Sequence, residues 1–352
     1  MKTDYKKIAP QKLTFCSDYM AGAHPKVMEA LNETNLMNTA GYGTDPISEH
    51  ARNRIREACK APEAEIFFLA GGTQTNATVI TALLQPYQGV LSSADGHISV
   101  HEAGAVEHNG HKVLVLPFEE GKISAGSIRR YCEHYREDES WDHIVMPGMV
   151  YVTHPTEYGT LYSRREMEEI RKACDEFGLK LYLDGARLAY ALASPQNDLT
   201  LADIARLCDA FYIGGTKCGA LFGEAVVFPK PGTVPHFFMI TKLMGALLAK
   251  GRIAGIQFDA LFTDGLYEEI GRSAVEAAGQ IQDAMEEKGY ELLFRSPTNQ
   301  IFLIMDDDEM NDLLGKVDFE YWDKYTDDST VVRFVTSWST TEEDVEKLIS
   351  LL

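Results

Sequence analysis

Cysteines are few and form no pattern. The six in 352 residues (Cys16, Cys59, Cys132, Cys174, Cys208, Cys218) are widely scattered, and no Cys-x-x-Cys pair occurs. A disulfide framework or a zinc site is therefore not expected, and reduced thiols are the default. Long apolar runs are also missing. The most apolar stretch, 237–256, is interrupted by Lys242, Lys250 and Arg252, so no membrane span is expected. The first twelve residues are polar and hold no apolar signal core, which makes the cytoplasm the expected location. Basic residues are in deficit: 33 Lys and Arg against 53 Asp and Glu give a formal charge of −20. That argues against a nucleic-acid partner, which calls for a broad basic surface, yet it leaves room for a small basic pocket around an anionic cofactor. Internal repeats and low-complexity runs are absent, as are the Walker lysine and the Gly-x-Gly-x-x-Gly pattern of nucleotide-binding loops.

What is present is alternation. Strand-like segments at 66–70, 89–92, 112–116, 143–152, 180–183, 211–213 and 224–228 are separated by helical ones at 73–84, 100–108, 124–136, 164–177 and 201–207. This pattern predicts an α/β fold with a mostly parallel sheet covered by helices on both faces. After about residue 255 the pattern changes to a long helical segment at 267–288, strands at 300–305 and 331–336, and a closing helix at 342–352. The chain is too long for one comfortable core. We expect a large domain over 15–255 and a smaller C-terminal α+β domain over 256–352, with the N-terminal segment 1–14 packing on the latter.

Three stretches carry chemistry. Phe211-Tyr212-Ile213 runs into Gly214-Gly215-Thr216-Lys217-Cys218-Gly219, which offers Lys217 at the end of a buried strand, where glycines let backbone turn and approach a ligand. A solvated lysine on an ordinary turn is the alternative. Gly71-Gly72-Thr73-Gln74-Thr75-Asn76 follows a strand and opens a helix, so its N–H groups and the helix dipole suit a single phosphate; a plain helix cap is the alternative. Leu181-Tyr182-Leu183-Asp184-Gly185-Ala186-Arg187 ends an apolar strand in a carboxylate. That carboxylate calls for a cationic or hydrogen-bonded partner, either a protonated ring nitrogen or Arg187, unless it caps the next helix. His97 precedes a helix and can stack on a planar ring. With His101, His108 and His111 nearby a metal is an alternative, but no third ligand stands at a convincing spacing. A phosphate nest, an acid, a lysine and a stacking imidazole are together what pyridoxal 5'-phosphate requires.

With these residues in hand, the sequence resembles the low-specificity threonine aldolase / β-eliminating lyase family of pyridoxal-phosphate enzymes, of the aspartate-aminotransferase fold (fold type I). The likeness runs from Ser17-Asp18 to the C-terminal strand. Tyr42-Gly43-Thr44-Asp45-Pro46 is similar to the family's early tyrosine loop, and Gly72-Thr73-Gln74-Thr75-Asn76 to its phosphate loop. His97 with Glu102 falls where the family has its ring-stacking histidine and a glutamate. Asp184-Gly185-Ala186-Arg187 resembles the motif that meets the pyridine nitrogen, and Lys217 the Schiff-base lysine. Lys250-Gly251-Arg252 resembles a segment that brings an arginine to a phosphate, often across a subunit interface. Val332-Arg333-Phe334-Val335-Thr336 resembles the strand whose arginine holds the substrate carboxylate. Two stretches depart from the family: Thr153-His154-Pro155-Thr156-Glu157-Tyr158-Gly159 stands in place of Glu-Asn-Thr-His-Asn-Gly, and Gly245-Ala246-Leu247-Leu248-Ala249 replaces a glycine-rich loop.

The resemblance implies a pyridoxal-phosphate lyase that cleaves β-hydroxy-α-amino acids such as threonine and allo-threonine to glycine and an aldehyde. Catalysis falls to Lys217 and His97. Cofactor binding falls to Gly72, Thr73, His97, Asp184, Arg187, Lys217 and Arg252, and substrate binding to Ser17, Tyr42 and Arg333. β-Elimination, racemisation or transamination on the same cofactor, and non-catalytic anion binding, are the alternatives. The family also implies a homodimer or homotetramer with active sites at the interface. Strand alternation leaves two directions open for Arg333, toward a ligand or toward solvent.

Overall fold

The computed structural model describes residues 12–352. They divide into two compact units: Gly22–Arg272, and the described residues up to Ala21 together with Ser273–Leu352. The boundary expected near residue 255 falls inside the helix Arg252–Leu261. That helix buries Ala254, Ile256, Phe258 and Leu261 and packs against Pro46–Ala58 and Pro25–Thr34, which places it in the large unit.

The large unit is built on strands β1 (Glu65–Leu69), β2 (Gln88–Ser93), β3 (Val113–Leu116), β4 (Met146–Thr153), β5 (Lys180–Asp184), β6 (Ala210–Gly214) and β7 (Glu224–Phe228). Among the described residues they form one sheet in the order β1-β7-β6-β5-β4-β2-β3. The pairs from β6 to β3 are parallel, while β7 runs antiparallel to both β6 and β1. Six strands therefore point one way and β7 alone is reversed, so the expected mostly parallel sheet is found. Strands β6 and β7 are buried along their whole length, which is why they read as continuous apolar runs rather than alternating ones. Leu69, Ile80, Val90, Met149, Tyr182, Tyr212 and Phe228 belong to one core around this sheet.

Most predicted helices are found with small shifts. The segment 164–177 is the helix Arg164–Phe177, started by a Ser163/Glu166 capping box and ended by Gly178 in the left-handed region, both common helix signals. The helix expected at 100–108 is instead two single turns, His97–Val100 and Ala105–His108. Between them Ala103 (φ 51°) and Gly104 (φ 75°) are left-handed, a conformation that a continuing right-handed helix excludes. The strand expected from 143 begins at Met146, after the short turn Trp141–His143. No helix among the described residues is long and apolar enough to cross a membrane.

The small unit carries an antiparallel sheet in the order β10-β11-β9-β8, formed by β8 (Glu291–Phe294), β9 (Gln300–Asp306), β10 (Glu320–Lys324) and β11 (Ser329–Val335). Ile301, Leu303, Val332 and Phe334 pack with Ile281, Met285 and Leu348 into its core. Residues alternate between sheet faces, so Arg333 lies on the face opposite Val332 and Phe334. Of the N-terminal segment expected to pack on this unit, residues 1–11 lie outside the described residues. Leu13–Thr14 pair in parallel with Val317–Asp318.

Candidate active site

Register places the chemistry-bearing residues on one edge of the large sheet. Thr153 pairs with Asp184, Gly214 with Glu224, and Leu69 with Glu224. The carboxyl ends of β1, β4, β5 and β6 thus lie together with the start of β7. In an open α/β sheet this edge is where ligands bind. The loops leaving β5 and β6 are pressed against each other: a Cβ on Gly185 would stand 2.1 Å from the Tyr212 carbonyl oxygen, and one on Gly214 2.2 Å from that of Ala186. The glycines here admit neighbouring backbone, so Asp184 and Lys217, 33 residues apart in sequence, are offered from adjacent loops.

Asp184 is buried, and its hydrogen bonds come from neutral donors. Oδ2 accepts from Asn76 Nδ2 (2.9 Å) and from the Tyr151 hydroxyl (2.7 Å), and Oδ1 accepts from the Ala186 N–H (2.9 Å). Burial, followed by the charge of Asp184, holds the Tyr151 phenol well above its ordinary pKa, so it stays protonated and able to donate. These bonds satisfy the carboxylate without neutralising it.

Asn76 links this acid to a second one. Its Nδ2 also donates to Glu102 Oε1 (2.8 Å), while its Oδ1 accepts from the Tyr182 hydroxyl (2.8 Å). Glu102 is buried, its Oε1 lies 2.7 Å from His97 Nδ1, and its Oε2 has no hydrogen-bond partner among the described residues. With the Nδ1 proton assigned to that contact, His97 Nε2 carries the lone pair. The His97 backbone N–H donates to Glu157 Oε1 (2.8 Å), whose other oxygen accepts from Thr153 Oγ1 (2.9 Å). Burial raises the pKa of Glu157. The departing segment 153–159 thus supplies the carboxyl that seats His97. Its neighbour His154 is buried, which pushes its pKa down to about 4 and keeps it neutral at neutral pH.

The helix Gly72–Leu83 begins at the end of β1, its N-cap Gly71 gives no side-chain hydrogen bond, and Thr73 is exposed in the first turn. Thr75 Oγ1, one residue beyond Gln74, is buried with no partner among the described residues. First-turn N–H groups, an exposed hydroxyl and the helix dipole form an anion site.

Lys217 is half-buried, and its carbonyl accepts a hydrogen bond from the Tyr190 hydroxyl. Beside its loop sits Glu224, buried, with a pKa that burial pushes up to about 8.

Arg187 is half-buried at the N-cap of Leu188–Ala193. Arg252 donates to the carbonyls of Thr34 (2.6 Å) and Asn35 (3.1 Å), so within one chain its guanidinium ties off the end of the helix Pro25–Thr34. Tyr42 is 44 % exposed, with Lys242 Nζ 5.0 Å from its ring centroid. In the small unit, Ser17 Oγ is buried without a partner among the described residues. Arg333, also in that unit, donates from Nη1 to Gln300 Oε1 (2.8 Å), pairs with Glu320, and lies 5.0 Å from the Trp322 ring centroid. It does not point to solvent. Among the described residues no cluster of three His, Cys, Asp or Glu is placed to hold a metal.

Sequence reasoning passed over Tyr151, Tyr182 and Glu224, and gave Asn76 no role. Glu224 carried the signal that singled out Asp184, a carboxylate flush against an apolar strand.

The donor set fits pyridoxal phosphate: an anion site, a buried acid met by neutral donors, a carboxylate-held imidazole and a lysine share one edge. A sequence profile of the beta-eliminating lyase family matches residues 14–308. The low specificity L-threonine aldolase of Pseudomonas sp. (strain NCIMB 10558) is 32 % identical over 346 residues, covering 96 % of each chain. The threonine aldolase of Leishmania major superposes with a TM-score of 0.93 at 39 % identity, covering 96 % of this chain and 98 % of that one. A Thermus thermophilus aspartate aminotransferase superposes at 0.71 with 15 % identity over 99 % of this chain and 92 % of its own, a likeness of fold. The chain belongs to the β-eliminating lyase family, pyridoxal-phosphate lyases of the aspartate-aminotransferase fold.

Proposed function

We propose that the protein cleaves β-hydroxy-α-amino acids, threonine and allo-threonine among them, to glycine and an aldehyde. The observation that carries this choice is the His97–Glu102 pair, 2.7 Å apart. Breaking the Cα–Cβ bond in this direction requires removal of the β-hydroxyl proton, and an imidazole oriented through Nδ1 takes it at Nε2.

When bound, pyridoxal phosphate supplies the electron sink for the broken bond. The first turn at Gly72 and Thr73 would hold its phosphate, Asp184 its ring nitrogen, and Lys217 its aldehyde carbon. Arg187 and Arg252 are further cofactor residues in this reading, and Ser17, Tyr42 and Arg333 bind substrate. Glu102 holds the His97 ring and stabilises the imidazolium that forms when the proton arrives. Arg333 takes the substrate carboxylate in a two-point grip.

Active sites at the interface of a homodimer or homotetramer complete this reading. Its support is a face of the large unit where Arg252 meets Thr34 and Asn35, the Tyr42 N–H meets the Ala249 carbonyl, and apolar side chains such as Leu36, Met37, Met239 and Leu243 are exposed. The six free cysteines suit a reducing compartment such as the cytoplasm. The test is release of glycine and acetaldehyde from threonine and allo-threonine by the cofactor-loaded protein. Formation of a 2-oxo acid and ammonia without glycine would establish elimination instead.

A further inference from the structure

We infer that Glu224 is a positioning residue for Lys217, fixing the loop that presents the lysine and supplying the negative field in which its amine gains and loses a proton. The inference rests on reading Lys217 as the cofactor-linking lysine.

The geometry closes around this carboxyl group. Glu224 opens β7 and is in register with Gly214, the last residue of β6. Its Oε2 accepts from the Gly215 N–H (3.0 Å) and its Oε1 from the Thr216 hydroxyl (2.7 Å). The Thr216 hydroxyl in turn accepts from the Gly223 N–H (3.0 Å), and the N–H groups of Gly215 and Thr216 both reach the Gly223 carbonyl (2.9 and 3.1 Å). Both ends of the 215–223 loop are therefore tied to Glu224 or its neighbour. The Tyr190 hydroxyl holds the Lys217 carbonyl.

Clamping a loop does not require an acid. A buried amide would still accept from one of these neutral donors, and burying an ionised carboxylate costs far more unless its charge is used. The charged and titratable groups acting on Glu224 are Lys217, which favours its ionised form, and Asp184, which opposes it. The phenols of Tyr182, Tyr212 and Tyr267 also feel its charge, and burial keeps all three protonated. With its pKa pushed up to about 8 by burial, Glu224 changes charge in the range where an enzyme lysine exchanges its proton. A negative Glu224 favours the ammonium form of Lys217 and so raises the pH at which the amine is released.

The test is a pH series of brief acetic anhydride labelling on the full chain without cofactor. Acetylation of Lys217 is read by peptide mass spectrometry, and circular dichroism at each pH verifies folding. E224Q keeps shape and one acceptor but removes the charge, and should move the Lys217 labelling midpoint down by about one pH unit, roughly a tenfold change in amine reactivity at fixed pH. E224D should restore the wild-type midpoint. An unmoved midpoint in folded E224Q overturns the inference. Should E224Q not fold, T216V removes a hydrogen bond that favours the ionised acid, and its midpoint should also fall while T216S keeps the wild-type value. A wild-type midpoint in T216V then overturns it. Loss of the cofactor reading is detected separately, because a cofactor bound elsewhere leaves this labelling curve intact.

Discussion

Asp184 in the large unit and Arg333 in the small one are both charged side chains buried on strands, and their surroundings meet that charge in opposite ways. Asp184 is held by an amide, a phenol and a backbone N–H, all neutral. Arg333 is held by the carboxylate of Glu320 and the amide of Gln300. Neutral donors satisfy an acid's hydrogen bonds without bringing it an opposite charge, so a cationic ligand meets a prepared partner. An ion pair uses the charge up, so an anionic ligand at Arg333 competes with Glu320. The first arrangement suits a resident cofactor, and the second suits a substrate that comes and goes.

Breaking the first arrangement should have the largest effect. Asp184→Asn places an amide among the donors of Asn76 and Tyr151 and removes the charge that keeps a ring nitrogen protonated. A lost partner charge shifts a pKa by one to three units, so turnover should fall by about ten- to a thousandfold, with the visible spectrum of the bound cofactor changed. Unchanged kcat with an unchanged spectrum breaks the comparison on the Asp184 side.

Arg333→Lys comes next. Loss of the planar two-point grip costs about 1.5–3 kcal/mol for a hydrogen bond to a charged group. The substrate KM should rise by roughly ten- to a hundredfold, and the visible spectrum without substrate should stay as in the wild type. Wild-type KM for both threonine and allo-threonine would assign the carboxylate to another residue. The smallest effect sharpens the contrast. The Glu320 side chain is 46 % exposed, and such pairs contribute about 0.2–1 kcal/mol. Glu320→Gln should therefore lower KM, at most about fivefold. A rise in KM would show that Glu320 supports the guanidinium rather than competing for it.

The comparison also marks what could be read from sequence. Asp184 and Lys217 were legible because an apolar strand that stops abruptly at a charge or a glycine turn is a local signal, and the parallel sheet was legible in the alternation of segments. The network around Asp184 was not. Asn76 meets Glu102 across 26 residues and Asp184 across 108, and no local pattern carries such distances. Glu224 hid for a related reason: its partners Gly215 and Thr216 lie across a hairpin-like return that only β7's reversal reveals. The helix expected at 100–108 failed on Ala103, whose left-handed backbone contradicts the helix propensity of alanine. Arg333 was legible as a costly charge in an apolar strand, but its partner Glu320 belongs to an edge strand whose polar sequence, Glu320-Tyr321-Trp322-Asp323-Lys324, gave no strand signal.

The central claim is that Lys217, offered beside Asp184 at the sheet edge, holds the cofactor. Borohydride reduction of the pyridoxal-phosphate-loaded protein, followed by digestion and peptide mass spectrometry, tests it directly. One pyridoxyl group is expected, on Lys217, and none in a folded Lys217→Ala variant. A pyridoxyl group on a different lysine, or no stable adduct in the wild-type protein, would contradict it.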